Sequence, residues 1–214
     1  MEILEQARKI DPNYVVFGAS MHKYKLNPIV SGEYVHEIEK KYGFTLPEDY
    51  FRFITEIGDG GAGPDYGIMP FVNFLIKDGN PLAEEFKNSY RYSLGKSFKP
   101  WPMKLEEVEE YAITTKEGYK ENPDKYFIYH KYDNDLSDSD GFFIFGSRGC
   151  QWEFGIITAG ERKGQVFDTD NEGAYCLLAN SFDEFYQNWL NKLLDKEQFR
   201  KTMEMWRKIV ERKG

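Results

Sequence analysis

An α+β domain, with a mainly antiparallel central sheet flanked by N-terminal helices and a closing C-terminal helix, is what the order of sequence patterns predicts. Helical spacing of apolar residues fills residues 28–57 and returns after Ser181. Short apolar runs bounded by glycines crowd the stretch from Gly141 to Leu178. No regular strand–helix alternation occurs, which argues against a doubly wound parallel sheet.

The elements follow in order. Val35, Ile38 and Tyr42 recur at helical spacing among charges, so residues 28–42 read as a helix, and Gly43 suits a left-handed stop. Pro47 then fits a first helical position, with Glu48 and Asp49 at the positive end of the helix dipole. Tyr50, Phe53, Ile54 and Ile57 form the apolar face of that second helix, which Gly58 ends. Glycines from Gly58 to Gly67 are too dense for helix or strand and mark a structured loop. Gly67 to Phe71 reads as a short strand, Leu105 to Ala112 as a helix, and Asp133 to Asp140 as an acidic loop. Four strands follow: 141–146, 153–158, 165–168 and 174–178, the middle two joined by a turn from Gly160 to Gly164. Phe142, Ile144, Ile156, Val166, Phe185 and Trp189 are the expected shared core. Ser181 with Glu184 three residues later forms a capping box for the closing helix, whose apolar face is Phe182, Phe185, Trp189 and Leu193. Met203, Trp206 and Ile209 belong to a further helical stretch. The expected organisation is an N-terminal segment (1–27), one domain (28–194) and a C-terminal helical extension (195–214).

Composition narrows the function classes. The 214 residues carry 28 Lys+Arg against 36 Asp+Glu, a net charge of −8. A nucleic-acid binder that tracks phosphates usually presents a basic face, so this balance points away from direct nucleic-acid binding and suits a basic protein partner. Aromatics reach 17%, enough to fill a core and still supply interface anchors. Two cysteines, Cys150 and Cys176, are too few for a disulfide scaffold and lack metal-type pairing. The charged start Met1-Glu2-Ile3-Leu4-Glu5 has no signal-peptide apolar region and no membrane-spanning run follows, so the expected location is the cytoplasm.

Patterns that imitate catalytic or cofactor chemistry fail on context. Gly58-x-Gly60-x-x-Gly63 has the letters of a dinucleotide fingerprint, but it follows a helix and opens none. A calcium loop ending at Asp140-Gly141 would place Leu136 and Ser147 where carboxylates are needed. Cys150 and His130 lack a third orienting group, and His22, His36 and His130 have no metal-ligand spacing. His36 falls on the charged side of its helix. Glu106-Glu107 and Glu109-Glu110 read as a wet helix face. No cofactor, metal or catalytic residue is expected.

Three segments, in order, carry a resemblance. Gly43-Phe44-x-Leu46-Pro47-x-Asp49-Tyr50-x-x-Phe53-Ile54 runs into Gly60-Gly61-x-Gly63-Pro64-x-Tyr66-Gly67. Gly149-Cys150-x-Trp152 precedes Gly160, Gly164, Val166 and Phe167. Ser181-Phe182-x-x-Phe185-Tyr186-x-x-Trp189-Leu190 closes the pattern. Together they resemble the SMI1/KNR4 (SUKH) family over roughly residues 30–194, although Gly60 stands where the family often has Asn and Gln151 where it often has Gly. The segments 76–140 and 195–214 match no part of the pattern.

The resemblance implies a non-catalytic protein-binding domain. Its leading form is a bacterial immunity protein that neutralises a nuclease- or deaminase-type toxin by direct binding; the alternative is a regulatory scaffold with no toxin partner. Binding residues gather on loops held by rigid scaffolds. The expected partner-binding residues are therefore Asp59, Gly60, Gly61, Gly63, Pro64, Asp65 and Tyr66 in the glycine loop, and Cys150, Trp152 and Glu153 at the hairpin. Asp59, Asp65 and Glu153 would supply negative charge, and Tyr66 and Trp152 aromatic anchors, for a basic partner.

Overall fold

A computed structural model describes residues 2–71, 76–77, 80–81, 101–102, 119–128, 141–149, 152–169 and 174–211. The helices are α1 (Glu2–Ile10), α2 (Ala19–His22), α3 (Gly32–Tyr42), α4 (Glu48–Arg52), α5 (Phe182–Leu194) and α6 (Lys196–Glu211). The strands are β1 (Ile76–Lys77), β2 (Asn80–Pro81), β3 (Trp101–Pro102), β4 (Tyr126–Ile128), β5 (Phe142–Gly149), β6 (Trp152–Ile157), β7 (Val166–Thr169) and β8 (Ala174–Ala179). β1 and β2 pair with each other, and the other six form one sheet in the order β3-β4-β8-β7-β6-β5. Every pairing is antiparallel, so the α+β class expected from the sequence is the one observed. The expected helix at 105–112 and the acidic loop at 133–140 lie outside the described residues.

The N-terminal helices stop where their glycines allow. Gly43 takes φ 73 and ends α3, its N–H donating to the Glu39 carbonyl. Pro47 stands one position earlier than its sequence suggests, as the cap before α4. α4 then widens into a π-helical turn, Phe53–Ile57, closed by Gly58 N–H donating to the Phe53 carbonyl at 2.9 Å. The extra residue in that turn corrects the expected apolar face: Tyr50, Phe53 and Ile54 are buried, but Ile57 is rotated outward and 56% exposed.

Both faces of the sheet bury apolar side chains. Against the helices lie Phe143, Phe145, Phe154, Ile156 and Val166, packed with Tyr50, Phe53, Phe182 and Phe185. On the opposite face lie Phe142, Ile144, Ile157, Phe167 and Tyr175. The expected core is therefore split: Ile156, Val166, Phe185 and Trp189 do share one cluster, but Phe142 and Ile144 belong to the other face. Successive residues of a strand point to opposite sides, and a run of four apolar residues at 142–145 does not say which parity meets the helices.

α5 begins as its capping box predicts. The Ser181 hydroxyl accepts from Glu184 N–H at 3.0 Å, and the Glu184 carboxylate accepts from Asn180 N–H at 2.9 Å, one residue upstream of the cap. The chain ends, read from sequence as a segment and an extension, dock on this helix: Leu4, Ala7 and Tyr24 cluster with Leu193 and Phe199. Asp11 organises the loop after α1, its buried carboxylate accepting from Val15 N–H, Val16 N–H and the Tyr24 hydroxyl.

Candidate functional site

Among the described residues β5 is the edge strand of its sheet, and an open edge invites unwanted pairing. The glycine loop covers it. Single bridges connect Leu26 to Gly61, Gly61 to Ile68, and Ile68 to Gly146, so the loop continues the sheet by isolated steps where a regular strand was expected at 67–71. Met69 N–H donates to the Phe145 carbonyl at 2.8 Å and Tyr66 N–H to the Ser147 carbonyl at 3.2 Å. Gly61, at φ 96, fits because a Cβ there would run into the Lys25 carbonyl oxygen.

The loop's two carboxylates are sorted by burial. Asp59 is inside, 5% exposed; Oδ1 accepts from Phe71 N–H at 2.6 Å and its carbonyl from the Asn27 amide at 3.0 Å. It ties the loop to its neighbours and is not the surface charge expected from the sequence. Asp65 stands at the rim. Its Oδ2 accepts from Arg148 Nε at 3.1 Å, and Arg148 Nη1 donates to the buried Asp168 carboxylate. The guanidinium lies 5.9 Å from the Trp152 ring centre and 5.7 Å from that of Phe154, so loop and sheet are joined by one cation gripped by two anions and two rings. Glu153 is also buried, and strand alternation puts it on the face opposite Phe154, away from this network. Cys150 lies outside the described residues.

Tyr66 rests on Gly149, where any side chain would meet its ring, and its ring centre is 5.1 Å from Phe17. Phe17 in turn stacks on Trp206 at 5.2 Å. Behind this stack opens a cleft of about 630 Å³, within the range of ligand-sized clefts. The glycine loop supplies one wall through Gly63, Pro64 and Asp65, and Arg148, Phe154 and Leu178 of the sheet reach its floor. α5 and α6 close the other side through Trp189, Lys192 and Trp206.

His22, read from the sequence only as a histidine without ligand spacing, sits at the back of the cleft. Its Nδ1 accepts from Tyr24 N–H at 3.0 Å, and its ring stands edge-on to Trp189. Burial lowers its pKa to about 4, against the opposing effect of a hydrogen bond to the Asp65 backbone. Burial, followed by the charge of Asp168, pushes the Cys176 thiol up to about 11, so it stays neutral at neutral pH. Among the described residues no group of three or more His, Cys, Asp or Glu side chains is placed to hold a metal ion, and no helix is long and apolar enough to cross a membrane.

Of the residues picked from sequence, Gly63, Pro64, Asp65, Tyr66 and Trp152 converge on this region, while Gly60 and Gly61 shape its backbone. Arg148, Asp168, Phe17, His22 and Trp206 were not picked. Arg148 directly precedes the motif residue Gly149, and only strand pairing brings it to Asp168. Phe17 and Trp206 sit near opposite chain ends, and no local pattern joins them.

The architecture is an α+β domain with a groove walled by helix and loop on one face of an antiparallel sheet. The chain belongs to the SMI1/KNR4 family (SUKH-1), whose family model matches residues 29–188. Neither a curated protein nor a solved structure gives a significant match. The matched span holds the glycine loop and strands β4 to β8, but Phe17, His22, Trp189 and Trp206 fall outside it.

Proposed function

We propose that this chain is a non-catalytic immunity protein that neutralises a nuclease- or deaminase-type toxin by direct binding, with the groove beside the glycine loop as the contact surface. The observation that carries the reading is the groove's build. A rigid loop pinned to the sheet by Arg148 presents Asp65 and Tyr66 beside Phe17 and Trp206. Tyr and Trp are among the side chains that carry most of the binding energy in protein interfaces. The net charge of −8 favours encounter with a basic partner.

Co-expression with a toxin encoded beside this gene tests the proposal. Wild type restores growth. Asp65→Lys restores it poorly while its thermal melt keeps the wild-type shape and two-state form. Growth that wild type fails to restore removes the immunity assignment for that toxin, and full rescue by Asp65→Lys moves the interface away from the loop. Asp59→Lys is unsuitable as a charge reversal, because it would bury an ammonium where Phe71 N–H needs an acceptor.

A further inference from the structure

We propose that Asp11 is a positioning residue for partner recognition: its buried carboxylate sets the place of Phe17, and through Phe17 the aromatic wall of the groove. This rests on the reading of the groove as the partner surface, and it names a residue behind that surface that governs it.

Asp11 is 1% exposed and does not line the cleft. Four donors converge on it. Oδ1 accepts from Val15 N–H at 2.8 Å, and Oδ2 accepts from Val16 N–H at 3.2 Å and from the Tyr24 hydroxyl at 3.0 Å. The Asp11 carbonyl accepts from Tyr14 N–H at 3.2 Å. Burial, then the charge of Asp11, pushes the Tyr24 hydroxyl well up, so it stays a donor. A buried carboxylate is costly unless hydrogen bonds replace its water, and here every donor comes from the segment 14–24. Among the described residues, three of the four other than glycine with a positive φ, Tyr14, Lys23 and Tyr24, lie in that same segment. Such conformations persist only where the surroundings over-determine them, and they gather at ligand sites. Asp11 hydrogen-bonds both Tyr14 and Tyr24.

The segment that Asp11 holds is groove wall. Val16, Phe17, Ala19, His22 and Tyr24 all line the cleft. Phe17 stands between two fixed neighbours. Val16 is tied to Asp11, and Gly18, at φ 75, passes so close to the glycine loop that a Cβ would meet the Asp65 carbonyl. The Phe17 ring so placed reaches Tyr66 at 5.1 Å and Trp206 at 5.2 Å, centre to centre, and links the glycine loop to α6. Asp11, Phe17 and Trp206 all fall outside the family-matched span, so the match alone does not account for this wall.

The experiment separates placing Phe17 from merely stabilising the fold. The Trp206 indole N–H of the full chain is followed by NMR and assigned with Trp206→Phe, because a displaced Phe17 ring changes the ring current felt there. Asp11→Asn, which keeps the size and one acceptor oxygen, should shift that resonance in the direction set by Phe17→Ala. The milder Tyr24→Phe, which removes a single donor, should shift it the same way. Ile144→Val, on the far face of the sheet, should lower the melting temperature and leave the resonance in place. Calorimetry with the toxin domain encoded beside this gene then closes a double-mutant cycle. Asp11→Asn should weaken binding about fivefold in the wild-type background and add no loss in a Phe17→Ala background. A Trp206 resonance unmoved by both Asp11→Asn and Tyr24→Phe, or an equal loss of affinity in the two backgrounds, overturns the positioning role. The two readings fail separately: toxin binding with an unmoved resonance sinks the positioning role alone, and the expected shifts without toxin binding sink the immunity assignment alone.

Discussion

Asp59 and Asp65 share one glycine-rich loop, and burial sends them to different tasks. One is a knot in the fold and the other a charge at the rim, a division set by which backbone amides lie nearby after folding. His22 is the residue whose titration should be visible in stability. Its folded pKa of about 4 lies below the ordinary 6.5. As pH falls through 6.5 the unfolded chain takes the proton first, so stability drops across the window from 6.5 to 4 and the loss is complete below it. The full cost is on the order of 3 kcal/mol. Urea unfolding at pH 7.5, 5.5 and 4.5 should show the decline. His22→Asn, whose amide oxygen can still accept from Tyr24 N–H, should be flatter across that window, and equal slopes would remove His22 as the cause. No local pattern marks this role: His22 looks like any histidine beside lysines, and its burial depends on Trp189 and the glycine loop closing over it.

At the scale of elements, local chemistry was legible and parity was not. The Ser181 cap, the Gly43 stop and the hairpin turn from Gly160 to Gly164 all depend on near neighbours, and all stand where their residues place them. The face assignment of β5 depends on what covers each side of the sheet. α1 carries its own helical spacing in Ile3, Leu4, Ala7 and Ile10, which the reading of 1–27 as a plain N-terminal segment overlooks, and it gains its burial from Leu193 and Phe199 toward the far end of the chain. The sequence puts Trp189 in the expected core and Phe182 only on the apolar face of the closing helix. In the structure Phe182 is the more central, fully buried and within 6.2 Å, centre to centre, of Tyr50, Phe53, Phe145, Phe185 and Tyr186. Trp189 is partly buried and lines the cleft. Phe182→Ala should therefore cost about 3–5 kcal/mol, as for a buried aromatic, and Trp189→Ala clearly less. Denaturant midpoints in which Trp189→Ala is the more damaging change would mean that α5 docks through its outer half.

For the whole molecule, the fold is a family frame whose glycine loop seals an edge strand, with two chain ends laid across it to finish the groove. The frame could be read from three short motifs because each fixes a local geometry. The groove could not, since Phe17, Asp65, Arg148 and Trp206 meet only in three dimensions. The central claim is that partner binding lives in that groove, and a matched pair of surface changes tests it most directly. The toxin domain encoded beside this gene would be titrated calorimetrically into the wild type, into the double variant Asp65→Lys/Trp206→Ala, and into Ile57→Ser, which alters an exposed apolar residue of the π-helical turn, outside the groove lining. The account predicts that the double variant loses about tenfold or more in affinity, the effect expected from roughly 1.4 kcal/mol or more at an anchor, while Ile57→Ser binds as wild type does. Unchanged binding by the folded double variant, with loss of affinity in Ile57→Ser, would contradict it and put the interface on the helical side.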